Sequence, residues 1–152
     1  MTEAEKIKAQ IAELQKQLEA VEAVDDGYWV PQIAENYYYV LSDGCVRSYP
    51  WCDFIIDNNR LKMGNVFRTE KEADHEAKVR EAYVKFKRMA KGWKFTPRHS
   101  NFSAVYVHDM GIWDIYSNQN HQFVGQIYFK TQQDCKDAIA AMGDEMDLLK
   151  GV

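Results

Sequence analysis

Apolar residues recur along this chain at two different periods, and the change of period divides it. From Thr2 to about Glu22 there is no Gly or Pro, and Ile7, Ile11, Leu14, Leu18 and Val21 advance by four, three, four and three residues. That is the seam of a coiled coil, with Ile11 and Leu18 at one core position and Ile7, Leu14 and Val21 at the other. Thr2 and Glu5 have capping-box spacing, and Ala, Glu, Lys, Gln and Leu dominate the stretch. A helix that docks on its own domain shows a broader apolar face, so the narrow stripe predicts a partner helix and a homo-oligomer. A helix this short is marginal alone, because its first turn is costly to form. The segment is therefore expected to assemble with support from the globular part that follows.

Val24-Asp25-Asp26-Gly27 punctuates the helix, and Pro31 prevents its continuation. Beyond it the pattern shortens towards alternation. Asn36 to Leu41, a turn at Ser42-Asp43-Gly44 and Cys45 to Tyr49 predict a hairpin. Trp51 to Ile56 reads as a short irregular strand ending before Asp57-Asn58-Asn59. Gly64 to Phe67 reads as a strand entering a helix from Glu70 to about Lys91, stopped by Gly92. The pattern then resumes. Phe102 to Val107 and Ile112 to Tyr116 flank a turn at Asp109-Met110-Gly111, and Ser117 to Gln122 is a polar loop. Phe123 to Phe129 predicts another strand, and Gln132 to Met142 a helix ended by Gly143.

The two stretches are related. Gly64-Asn65-Val66-Phe67-Arg68-Thr69 with Glu72-Ala73 returns loosely as Gly125-Gln126-Ile127-Tyr128-Phe129-Lys130-Thr131 with Asp134-Cys135. Each copy is an apolar, aromatic strand running into a basic residue, a threonine and, three places on, an acid. The threonine side chain suits the free amides of a first helical turn, and the acid suits the positive end of the helix dipole. The expected architecture is α+β, with helices covering one face of antiparallel sheet. A coiled-coil helix over 1–24 precedes two related β-meander-plus-helix units at 25–92 and 93–152.

Composition narrows the class. The 152 residues are 46% hydrophobic and 28% charged, an ordinary globular balance. No apolar run approaches the roughly 20 residues that span a bilayer. The charged start lacks the apolar core of a signal peptide, so a cytoplasmic address and no membrane partner are expected. Cys45, Cys52 and Cys135 are an odd number without a CxxC pair, which predicts reduced thiols.

Charge is segregated. Residues 1–26 hold seven acids against three lysines, the whole of the formal net charge of -4, and Asp134 to Asp147 holds five acids against Lys136. Between them, Lys78, Arg80, Lys85, Lys87, Arg88, Lys91, Lys94 and Arg98 face only Glu81. On a helix, Val79, Ala82, Tyr83, Phe86, Met89 and Ala90 take one side and the basic residues the other. Lys78, Arg80, Lys87, Arg88 and Lys91 are the candidate anion- or partner-binding set, able to meet a phosphate backbone, an acidic protein or a nucleotide. The alternative is a solvated face whose lysines pair with acids elsewhere.

A second constellation is aromatic. Tyr37 and Tyr39 share one face of a strand and Tyr38 the other. With Trp51, Arg60 and Asn65 they form a candidate ligand or interface pocket, in which an arginine among rings clamps a phosphate or carboxylate. The alternative is an Asp57–Arg60 pair and asparagine turns that fix a loop. His75, His99, His108 and His121 show no ligand spacing with a cysteine or acid, so no metal is expected. GxSxG, P-loop, HExxH and Rossmann glycine patterns are absent. No catalytic residue or cofactor is therefore assigned, and a non-enzymatic protein is expected. Cys135, near a helix N-terminus, is read as a packing residue.

The coiled-coil segment, Tyr37-Tyr38-Tyr39-Val40, the Gly44 turn, Asp57 with Arg60, the Gly64-to-Ala73 run and Ile127-Tyr128-Phe129-Lys130-Thr131 with Ala138-Ile139 together resemble a widespread family. Its members are small proteins of unknown function carried by bacteriophages, prophages and other mobile elements. The likeness covers nearly the whole chain. It implies a viral protein of the host cytoplasm that inhibits a bacterial defence system, anti-CRISPR-like or by sequestering a nucleotide signal, with a host defence protein or that signal as partner. Two alternatives remain open: a nucleic-acid-binding accessory protein using the basic helix, and a virion assembly or structural protein.

Overall fold

The computed structural model describes residues 3–22 and 28–151, and within the first helix the side chains at 3 and 6–15. The elements run α1 (Glu3–Glu22), β1 (Asn36–Val40), β2 (Val46–Pro50), α2 (Ile55–Lys62), α3 (Glu70–Met89), β3 (Asn101–Val107), β4 (Ile112–Asn118) and α4 (Gln132–Met142). A 3-10 helix, Gly143–Leu149, follows α4. Strands β1 and β2 form one two-stranded antiparallel sheet and β3 and β4 another, so the class is mixed α+β. Thr2, the side chains of Glu5, Leu18 and Val21, and the Val24–Gly27 linker lie outside what is described.

The repeat has a structural counterpart. Tyr38 and Phe67 exchange backbone hydrogen bonds of 2.9 Å each, and Phe102 and Phe129 exchange bonds of 3.1 and 2.7 Å, so one residue of each returning segment pairs with its hairpin. Two residues later a threonine caps a helix: Thr69 Oγ1 accepts from Glu72 N at 3.2 Å and Thr131 Oγ1 from Asp134 N at 3.0 Å. Glu72 also answers back, its Oε2 accepting from Thr69 N at 3.0 Å. Gly64 and Gly125, which open the two copies, both have a left-handed backbone, with φ of 63° and 78°, where a side chain would be strained.

Two expectations are corrected. Trp51 to Ile56 is not a strand: the chain enters α2 at Ile55, and Asp57, Asn58 and Asn59 lie inside that helix. Asp57, in its first turn, accepts from the amides of Phe54 and Cys52 at 3.1 Å each, which closes the helix start where a break was expected. The strands expected at Gly64–Phe67 and Phe123–Phe129 shrink to single bridges at Phe67 and Phe129, because each segment crosses its hairpin at one point before turning into a helix. Helix α4 runs Gln132–Met142 and ends at Gly143 as expected, and the chain beyond it tightens into the 3-10 helix, which buries Met146 and Leu149.

The principal core gathers Ala82 and Phe86 of α3 and its C-cap Ala90 with Ala104, Ile127, Phe129, Cys135, Ala138, Met142, Met146 and Leu149. Phe86 meets Phe129 edge-on at 5.2 Å. The spacing expected on α3 is the spacing observed, with Val84 standing out 45% exposed. Residues of α3, all before Gly92, thus share a core with residues that lie beyond it.

Candidate functional site

On α1 the described seam residues are open: Ile7 is 51%, Ile11 49% and Leu14 64% exposed. Fully burying one such side chain contributes roughly 1.5–3 kcal/mol, so three on one stripe leave a substantial driving force for covering it. Leu18 and Val21 continue the stripe in sequence, their side chains lying outside the described residues.

On α3 the expected basic residues divide. Arg80 Nε donates to Glu76 Oε1 at 2.8 Å and Lys91 Nζ to Asp134 Oδ1 at 3.2 Å. Lys78, Lys87 and Arg88 are exposed and form no ion pair among the described residues. Lys78, Arg80 and Arg88 line an open groove of about 1110 Å³ between α3 and the β1–β2 turn, which also presents Asp43, Asp74 and Glu81. The groove carries both signs of charge. Ion pairs this exposed contribute at most about 1 kcal/mol each to the fold.

The aromatic set largely converges. Tyr37 meets Trp51 edge-on at 5.7 Å and Tyr39 at 5.8 Å, and the Arg60 guanidinium carbon lies 3.6 Å from the centre of the Tyr39 ring. Asn65 stands apart, its amide donating to Val40 O at 2.8 Å and accepting from Val40 N at 2.9 Å. At the centre is Asp57, wholly buried. Its Oδ1 accepts from Tyr37 OH at 2.7 Å, and that hydroxyl in turn accepts from Arg60 at 2.6 Å. Burial opposes ionisation of Asp57, but the bonds from Tyr37, Phe54 N and Cys52 N, with the Arg60 charge, hold its pKa below the usual carboxylate range. Burial and the Asp57 bond push Tyr37 up to about 12. The Asp57 carboxylate and the Tyr37 hydroxyl are engaged and both central rings are buried, so the cluster ties α2 to β1 and leaves no open ring face at Tyr37 or Trp51.

The sequence reading missed one further place. A cavity of about 210 Å³ lies between α3, the inward face of β3–β4 and the 3-10 helix. Tyr106 and Trp113, paired across the sheet, share that face with ring centres 5.3 Å apart. Trp113 Nε1 is buried with no hydrogen-bond partner among the described residues, an arrangement costing about 1–3 kcal/mol. Alternation through Ile112–Tyr116 puts Trp113 and Ile115 on one face and was the one signal available. The other walls come from segments far apart in sequence.

Among the described residues no group of three His, Cys, Asp or Glu converges to hold a metal, and no helix is long and apolar enough to cross a membrane. Compared with protein-family models, with curated proteins and with solved structures, the chain matches none.

Proposed function

We propose that this chain is a non-enzymatic binding protein whose copies assemble through a coiled coil formed by α1. In this reading it acts in the host cytoplasm as an inhibitor of a bacterial defence system, engaging a defence protein or its nucleotide signal. The observation that carries assembly is the open seam of Ile7, Ile11 and Leu14 on a helix of 20 residues. The choice of target rests on the likeness to proteins of phages and mobile elements. Two tests separate the parts. Light scattering on the Leu14→Asp, Leu18→Asp double variant is expected to show the mass of one chain where the parent shows a multiple, and an unchanged mass removes the α1 interface. Affinity capture from host lysate, with and without nuclease, is expected to return a nuclease-resistant defence protein whose activity the purified chain blocks, or a bound nucleotide.

A second reading, nucleic-acid binding, is favoured by Lys78, Lys87 and Arg88, which form no ion pair among the described residues. It requires an affinity that falls steeply with salt, by roughly 0.9 in log K per log unit of salt for each phosphate neutralised. A salt-insensitive complex with a protein would exclude it.

A further inference from the structure

Strand β4 is an edge of its sheet, and the register of the hairpin shows which of its backbone groups face outward. Phe102 exchanges backbone hydrogen bonds with Phe129, so its N–H and C=O point away from β4. Ala104 O, turned the same way, accepts from Gln126 Nε2 at 3.0 Å. In antiparallel pairs of this kind both members direct their backbone groups apart, so Ser117 and Ile115, opposite Phe102 and Ala104, face the free side of β4, as does Trp113 opposite Tyr106. Among the described residues no strand and no other backbone group meets these three. The corresponding edge of the first sheet is blunted. There Tyr38 is the residue bonded to Phe67, and the same alternation turns Pro50 outward on β2, where it has no N–H to offer.

One side chain distinguishes the β4 edge. Asp114 is the only charged residue of β3 and β4, and it forms no ion pair among the described residues. Its Oδ1 accepts from Ile115 N at 2.8 Å, which draws the carboxylate over the middle donor of the edge. Its neighbours on the same face are apolar and open: Val105 opposite it, and Ile112 and Tyr116 two residues away along the strand, are 40%, 45% and 51% exposed. Donors and acceptors repeating at strand spacing select an extended polypeptide as ligand. Such a strand must take Ile115 N from Asp114, so it has to give the carboxylate another partner. A lysine or arginine beside Asp114 does so, and apolar side chains beside Ile112 and Tyr116 complete the face. A second β4 fits badly. The antiparallel pairing that uses all three outward residues centres on Ile115 and sets two Asp114 carboxylates diagonally on one face, about 7–8 Å apart, with no cation in either strand. We propose that the β4 edge receives an extended strand of a partner protein that reads apolar, basic, apolar at alternate positions, with the basic residue on Asp114. The edge is separate from the α1 seam and from the α3 cations and depends on neither.

The test uses the full chain labelled with nitrogen-15 and two peptides, acetyl-Thr-Val-Thr-Lys-Thr-Val-Thr-amide and the same sequence with Glu in place of its Lys. The lysine peptide is expected to move the backbone amide signals of Trp113, Ile115 and Ser117 downfield together and saturably, and to bind about fivefold or more tighter than the glutamate peptide. Asp114→Lys is expected to reverse that order. Asp109→Lys changes the net charge equally but lies in the turn before the strand, and is expected to keep it. Thermal melting checks the fold of both variants, and if Asp114→Lys is unfolded the two peptides on the parent and on Asp109→Lys decide the matter. No saturable movement at the three amides, equal affinity for the two peptides, an order that folded Asp114→Lys leaves unchanged, or a reversal in Asp109→Lys overturns the site. Movement of the same amides on dilution of the chain alone also overturns it, since the edge then belongs to a second copy.

Discussion

Ala73 and Cys135 occupy the same point in two copies of one device: each is the fourth residue beyond a capping threonine, and each is wholly buried. The relationship fixes what the cysteine is for. A thiol in the first turns of a helix is favoured as thiolate by the helix dipole, yet burial pushes Cys135 up to about 12. Packing wins over reactivity. At pH 8 a thiol-specific disulfide reagent is expected to titrate exposed Cys45 first and half-buried Cys52 more slowly, with Cys135 reacting only in denaturant. Rapid modification of native Cys135 would contradict this placement.

The Tyr37–Asp57–Arg60 lock predicts stability at both ends of the pH range. Asp57 has a depressed pKa, so its contribution is present above the unfolded carboxylate value and is lost as pH falls through the folded one. Tyr37 is raised from 10.0 to about 12, so its contribution is complete below pH 10.0 and is lost as pH climbs towards 12. Thermal melts across pH should show a smaller alkaline fall in Tyr37→Phe, the remainder belonging to Cys135, whose pKa is also raised, and a smaller acid fall in Asp57→Asn. Tyr37→Phe should also cost about 1–3 kcal/mol at neutral pH, since buried Asp57 loses a donor. An unchanged alkaline limb in Tyr37→Phe would mean that another group governs it.

The caps give matched substitutions. Thr69→Ala and Thr131→Ala should each cost about 1 kcal/mol, and the serine variants much less, because only the hydroxyl is needed. Asp134 titrates low, through its bond with Thr131 and then with Lys91, so its support is present above the unfolded carboxylate pKa and is lost as pH falls through the folded value. Urea denaturation of the four variants checks the caps. Equal losses for alanine and serine would show that the methyl groups matter and the bonds do not.

What could be read in advance was what local chemistry decides. The buried face of α3 follows from the spacing of Ala82, Phe86 and Ala90, and the two capped helices follow from Thr69 and Thr131. Helix α2 was not legible, because its start is closed by Asp57, whose place is set by Tyr37 from a distant strand. Tyr37, Tyr39, Trp51 and Arg60 meet in the structure, whereas Asn65 serves the Val40 backbone. Spacing could not reveal that the hydroxyl of Tyr37 is already engaged. The cavity at Trp113 was illegible for a stronger reason. Its walls meet only when α3 crosses into the second unit's core, and nothing local in Tyr83 or Phe86 signals that crossing.

That crossing is testable at Met146, a residue of the 3-10 helix that is 2% exposed and belongs to the core containing Phe86 and Phe129. Met146→Ala should cost about 2–5 kcal/mol and Met146→Leu less than about 1.5, the usual difference between opening a void and refilling it. The distribution of the loss is more telling than its size. Because α3 packs against both α4 and the 3-10 helix, hydrogen exchange in Met146→Ala should accelerate along α3 as well as α4, although Gly92 separates the two units in sequence. If exchange rises only beyond Trp93, the units unfold separately and the core shared across Gly92 is not cooperative.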